Sequence, residues 1–112
     1  MGIQSNLNDL RAKVFVSADL VEYQDGSIVS KQLIKKSVGN ITIFAFDAGQ
    51  ELSTHSAPFD AMVQVLEGEA LITISGVDYK VKKDELIILP ANEPHGVKAE
   101  QKFKMLLSMI RE

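Results

Sequence analysis

The chain has no cysteine, no tryptophan and only two histidines in 112 residues. Without thiols it forms no disulfide, offers no thiolate nucleophile and builds no Cys-ligated metal site. That composition suits a reducing compartment, and a cytoplasmic protein is expected. Positive charge is scarce as well. Twelve Lys and Arg against 15 Asp and Glu leave a net charge of −3, which provides no footprint for phosphate backbones and argues against a nucleic-acid partner. Long apolar runs are missing. The stretch Ile41 to Phe46 is typical, and it falls far short of the ~20 residues that a membrane helix needs. The first ten residues show no cationic start followed by an apolar stretch, so neither a signal peptide nor a membrane partner is read.

What is present is an ordinary globular composition, 46% hydrophobic and 24% charged, sufficient for one domain around a single core. Residues 1–10 are polar and are expected to be a flexible N-terminal segment, followed by one domain over 11–112. Ser17-Ala-Asp-Leu-Val-Glu22 sets a capping serine before good helix formers and predicts one short helical turn. Nearly everything after it reads as strand. Ile28 to Lys36 and Asn40 to Phe46 flank a hairpin-type turn at Val38-Gly39-Asn40. Further short runs follow over 51–55, 61–66, 70–74, 77–81, 86–89, 95–98 and 103–110. Their separators carry Gly49, Pro58, Gly68, Gly76, Lys83-Asp84 and the Pro90–Pro94 segment. Short strands at this spacing, with no long amphipathic helix among them, predict an all-β sandwich or barrel.

In Met62-Val-Gln-Val-Leu66 and Leu86-Ile-Ile-Leu89 both alternating faces are largely apolar. A strand with one wet face alternates cleanly, so these strands are expected to be covered on both sides. Two coverings fit the residues equally: a second layer within the chain, or a partner subunit. Phe44, Phe46, Phe103, Met105 and Met109 are assigned to the core. Tyr79 with Lys80, Lys82 and Lys83 is assigned to a solvated hairpin.

The histidines, His55 and His95, each lie where a short strand meets a Gly/Pro-punctuated turn. With period-two alternation, Ser53, His55 and Ala57 share one face, as do His95, Val97 and Ala99. If both faces point into a barrel, the two imidazoles converge near one mouth. A single histidine is more commonly a hydrogen-bonded structural residue, but two at turn-flanked strand ends bring a site and a structural role level. Asp60 either lies beside His55, to orient the ring or act as a base, or bonds its own backbone in the turn Pro58-Phe59-Asp60. Gln64 is a polar residue in an apolar strand, suited to an interface amide or to lining a cavity. Pro90 and Pro94 shape the loop that presents His95.

These segments resemble the two motifs of the cupin superfamily. The first motif reads G-x5-H-x-H-x3–4-E-x6-G, and Gly49, His55 and Gly68 fall in register with it, with Leu66-Glu67-Gly68-Glu69 at its usual end. The second reads G-x5-P-x-G-x2-H-x3-N, matched by Pro90 and His95. The resemblance spans about residues 40 to 110. It implies a small single-domain protein with a double-stranded β-helix, the jelly-roll-like cupin barrel. In metal-bearing cupins two histidines and a glutamate of the first motif join the second-motif histidine around a divalent ion. Here Ala57 and Ala61 stand at two of those four positions, so His55 and His95 are an incomplete ligand set. Asp84 and Asn92 replace the second-motif glycines, and Ala99 its closing asparagine. No cofactor is assigned beyond an incompletely ligated divalent metal at His55 and His95.

The function expected from these readings is small-molecule binding in a barrel cavity near His55 and His95, with Asp60 and Gln64 as further ligand-binding candidates. The alternative is an enzyme: a metal-dependent, dioxygenase-like oxidoreductase, or a metal-free isomerase or lyase using His/Asp acid–base chemistry. The doubly apolar strands and the resemblance together lead to an expected homodimer.

Overall fold

The computed structural model describes residues 9–111. Most of the expected N-terminal segment, residues 1–8, lies outside the described residues. The chain then makes one 3₁₀ turn over Ser17–Leu20. Ser17 does not cap it. Val16 occupies the capping position, and no side chain bonds the turn's free N–H groups. The turn is held by what lies beneath it.

Nine strands follow: β1 (Ile28–Lys36), β2 (Gly39–Phe46), β3 (Glu51–His55), β4 (Ala61–Glu67), β5 (Glu69–Ile74), β6 (Val77–Lys82), β7 (Leu86–Leu89), β8 (His95–Lys98) and β9 (Phe103–Ile110). They form two antiparallel sheets. One has the order β1-β2-β9-β4-β7 and the other the order β3-β8-β5-β6. The expected strands thus appear within a residue or two of their expected ends.

Alternation along each strand builds the interior. In β4, Ala61, Val63 and Val65 are buried, while Met62, Gln64 and Leu66 on the other face are partly exposed. The inward residues of β4, Ile72 of β5, Val81 of β6, Leu89 of β7 and Val97 of β8 meet Phe46, Phe103 and Met105 in one core. The rings of Phe46 and Phe103 stack at 4.6 Å with 14° between their planes. Phe44 and Met109 pack on the edge of this cluster and remain partly exposed. The Tyr79–Lys83 hairpin region is solvated on Tyr79, Lys80, Lys82 and Lys83, as its composition suggests.

The outward face of the five-stranded sheet holds a second, smaller core. Val21 closes over Ile43 and Ala45, with Leu20, Tyr23, Leu66 and Leu106 around them. Residues 17–23 therefore act as a strap across this sheet. The strap is fastened by a polar cluster. Lys104, buried on β9, donates from Nζ to the Ala18 carbonyl at 2.6 Å. The Tyr23 hydroxyl donates to Glu67 Oε2 at 2.5 Å. Burial raises the Tyr23 pKa above the usual tyrosine value, and the bond to the Glu67 carboxylate adds to the shift. The Lys104 ammonium also lies 4.9 Å from the Tyr23 ring centroid, a cation–π distance.

Candidate functional site

His55 ends β3 and His95 begins β8, and the two are directly opposite in the β3–β8 ladder. Between Leu52↔Val97 and His55↔His95, β3 advances three residues while β8 advances two. This bulge places Leu52 and His55 on one face, with Leu52 packed against the core. The simple alternation that puts Ser53, His55 and Ala57 together does not hold here, because the extra residue resets the phase. On β8 the alternation is regular, and Val97 and Ala99 are buried on the same side as His95. Gly96 lies between them. A Cβ at Gly96 would stand 3.2 Å from Thr54 Oγ1, so the glycine allows β3 to lie close over β8.

The two rings meet edge to face, with centroids 4.5 Å apart and planes inclined at 67°. His95 is buried, with 8% of its surface exposed, and His55 is solvent-facing. Each ring is oriented by a carbonyl two residues before it. His55 Nδ1 is 2.9 Å from the Ser53 carbonyl, and His95 Nδ1 is 3.2 Å from the Glu93 carbonyl. A carbonyl oxygen only accepts, so these partners assign the proton of each neutral ring to Nδ1. Nε2 of each ring is then left with its lone pair. Burial lowers the proton affinity of His95. The Glu93 carbonyl partly opposes that shift, and the neighbouring His55 reinforces it.

The loops beside the pair are stitched together. Asp60 Oδ1 accepts the Ala91 N–H at 2.8 Å, and the Asn92 N–H donates to the Ala57 carbonyl at 2.7 Å. Across the 90–94 loop, the Ser75 N–H donates to the Pro94 carbonyl at 2.8 Å and its hydroxyl to Glu93 Oε1 at 2.7 Å. Asn92 and Asp84 hold left-handed backbone, with φ of 66° and 69°. These are the two positions where the cupin pattern has glycine. Asn and Asp tolerate this region better than other side chains, so the turns survive the exchange.

Asp60 and Gln64 do not join the histidines. Asp60 fixes the 90–94 loop through Ala91 and lines a hollow that neither histidine borders, together with Phe59, Met62, Ile88 and Arg111. Gln64 lies on the outward face of β4, between Leu86 and Leu106, because Val63 and Val65 take the inward positions. Ala61, at the position of the cupin glutamate, is packed into the core with Leu89 opposite it. Hydrocarbon fills that place. The Ser53 and Glu93 carbonyls that set the ring tautomers are backbone atoms and leave no trace in residue type. The burial of Lys104 under the strap likewise carries no local signal.

Two antiparallel sheets closing face to face over one core define a double-stranded β-helix. The chain belongs to the cupin domain family, whose model matches residues 42–110. Among solved structures it is similar to a conserved protein of unknown function from Streptococcus pyogenes. That protein is 37% identical over 91% of this chain and 90% of the other, with a TM-score of 0.87. A cupin 2 conserved barrel domain protein from Leptotrichia buccalis is 48% identical over 84% of this chain, with a TM-score of 0.82. This chain spans less than half of that one, 46%. A cupin superfamily protein from Desulfitobacterium hafniense shares the fold, with a TM-score of 0.86 at 24% identity over 91% of this chain and 94% of the other. No curated protein matches the chain. Among the described residues, no helix is long and apolar enough to cross a membrane.

The donor set does not fit the divalent metal of metal-bearing cupins. Two imidazoles converge, and Ala57 and Ala61 stand where the other two ligands would be. Among the described residues, no group of three or more His, Cys, Asp or Glu is placed to hold a metal ion. Protein sites for zinc or non-haem iron supply three or four ligands in fixed geometry. The chemistry available there is that of two imidazoles whose Nδ1 atoms are held by backbone carbonyls.

Proposed function

We propose that this cupin binds a small organic molecule at the barrel rim, using Nε2 of His55 and His95 as paired hydrogen-bond acceptors. The observation that carries this reading is the ring pair: each Nδ1 lies within hydrogen-bond distance of a backbone carbonyl, and the ring centroids are 4.5 Å apart. A ligand suited to it brings two neighbouring O–H or N–H donors on an apolar frame, because Leu52 and Val97 follow the histidines inward. Diols and aminoalcohols belong to this class. The cysteine-free composition supports a cytoplasmic setting.

The test is a titration of the protein with catechol and with short alkyl diols, observed through the histidine ring ¹⁵N resonances. Binding is expected to move both Nε2 signals, and His55→Ala is expected to abolish the response. Rings that stay unmoved by every diol and aminoalcohol tried, in a protein that remains folded, would remove the basis for this assignment.

A further inference from the structure

The inward-facing residues of β2 and β9 change character along the strands. Phe46, Phe103 and Met105 are fully buried. Further along the same inward rows, Phe44, Thr42 and Asn40 on β2 and Leu107 and Met109 on β9 are only partly buried. Asn40 and Thr42 are inward because they pair with Met109 and Leu107, which pair in turn with the core residues Ala61 and Val63. The inner face continues onto β1, with Lys35 opposite Asn40 and Gln32 opposite Thr42. Core-facing positions are ordinarily apolar, so a polar row on the inner face marks a place that meets water or a ligand.

This polar row lies at the histidine end of the barrel. Residues 47–50 lead from β2 into β3, and residues 99–102 lead from β8 into β9. The two connections are bonded to each other. The Gly49 N–H donates to the Ala99 carbonyl at 2.7 Å, and the Ala99 N–H to the Gln50 carbonyl at 2.9 Å. All four strands therefore meet at one end, and their opposite ends carry Asn40, His55, His95 and Met109. Leu52, on the same face of β3 as His55, packs on the core cluster that Met109 also borders. Both sheets thus turn these faces toward one interior.

What the row offers is complementary to the imidazoles. The Thr42 hydroxyl donates to Asn40 Oδ1 at 3.3 Å. With its oxygen taken, the Asn40 side chain is left with the two hydrogens of Nδ2 to donate. Lys35, exposed and opposite it in the ladder, adds an ammonium. Two neighbouring donors, one of them cationic, suit an anionic acceptor with two oxygens. We propose that Lys35 and Asn40 bind a carboxylate on the same ligand whose O–H or N–H donors meet His55 and His95. The inference rests on the histidine reading and narrows it, from diols and aminoalcohols in general to dihydroxy and aminohydroxy acids.

The test compares catechol with protocatechuate, which is catechol carrying a ring carboxylate, at neutral pH. Both titrations are followed through the histidine ring ¹⁵N resonances of the full chain. The wild-type protein is expected to bind protocatechuate about tenfold more tightly, the scale of one charge-assisted hydrogen bond. The readout is the ratio of the two affinities, which cancels any general loss of fold. In Lys35→Gln the ratio should fall to within about twofold of unity, because the ammonium no longer assists the bond. In Asn40→Asp a carboxylate meets a carboxylate, and the preference should reverse toward catechol. Lys80→Gln, on the β5–β6 hairpin, should keep the wild-type ratio. Equal affinities in the wild type, with catechol still moving both rings, would overturn this inference and leave the histidine reading standing. So would a wild-type ratio retained in either Lys35→Gln or Asn40→Asp. Rings unmoved by both compounds would overturn the two together.

Discussion

His55 and His95 face each other across the β3–β8 ladder, edge to face, each with Nδ1 held by a carbonyl two residues earlier in the chain. The pair shares one strand register but not one environment, since His95 is buried and His55 is not. Protonating His95 would put a charge in the barrel wall and next to a second imidazole.

Stability is therefore expected to depend on pH through His95. Burial lowers its folded-state pKa below the ordinary value, which is about 6.5. In the window between the two values the unfolded chain binds more protons than the folded one, so stability rises with pH. The contribution is fully present above about pH 6.5 and is lost as pH falls through the lower folded-state value. Urea midpoints measured from about pH 7.5 down to about pH 5 should fall in the wild type. In His95→Gln, which has no imidazole to charge, the fall should be shallower. Equal slopes in both proteins would assign the acid sensitivity to other groups.

Gly68→Ala should be far more costly than Gly76→Ala. Both glycines have positive φ, 75° and 82°, so each alanine meets left-handed strain of about 1–2 kcal/mol. At Gly76 a Cβ meets nothing within 4 Å, whereas at Gly68 it falls 2.6 Å from the Lys102 carbonyl oxygen and 2.9 Å from the Phe103 Cβ. The backbone there has no easy retreat, and the total at Gly68 is expected to reach about 3 kcal/mol or more. Chemical denaturation of the two variants should separate them by at least the cost of that clash.

Phe103→Ala removes one ring of the Phe46–Phe103 stack from a position with no solvent exposure. The loss is expected to be about 3–5 kcal/mol, combining hydrophobic transfer and the cavity left behind. A substitution that size threatens folding of a small domain outright, so Phe103→Leu is the more informative variant, with a smaller drop in the same unfolding midpoint.

Asp60→Ala separates a fastening role from a ligand-binding one. Its carboxylate accepts the Ala91 N–H, and losing that bond is expected to cost about 1 kcal/mol. Amide hydrogen exchange at Ala91 should accelerate. The diol response at His55 should persist, because Asp60 is not part of the histidine cluster. Loss of that response with the 90–94 loop still protected would place Asp60 in the binding site.

Much of this architecture was legible in the residues. Short β-branched and apolar runs such as Met62–Leu66, punctuation at Gly68 and Gly76, and the two histidine-bearing segments made the strands, the sheet class and the meeting of His55 with His95 readable. The faces were less legible around β3. Its bulge adds one residue between Leu52 and His55, and a period-two reading has no means of sensing an insertion that depends on the partner strand. Asp60 could be given to a turn or to a site, but not to Ala91, thirty-one residues away. Lys104 reads as a surface charge by type. Only the strap folding back over β9 buries it.

The place of β9 in its sheet bears on how the protein is made. It lies between β2 and β4, so the larger sheet remains split until residues 103–110 have left the ribosome. Until then β2 and β4 each show a bare edge to solvent or to neighbouring chains. Closure of the larger sheet consequently waits on its last strand, and truncation ahead of Phe103 should yield insoluble fragments.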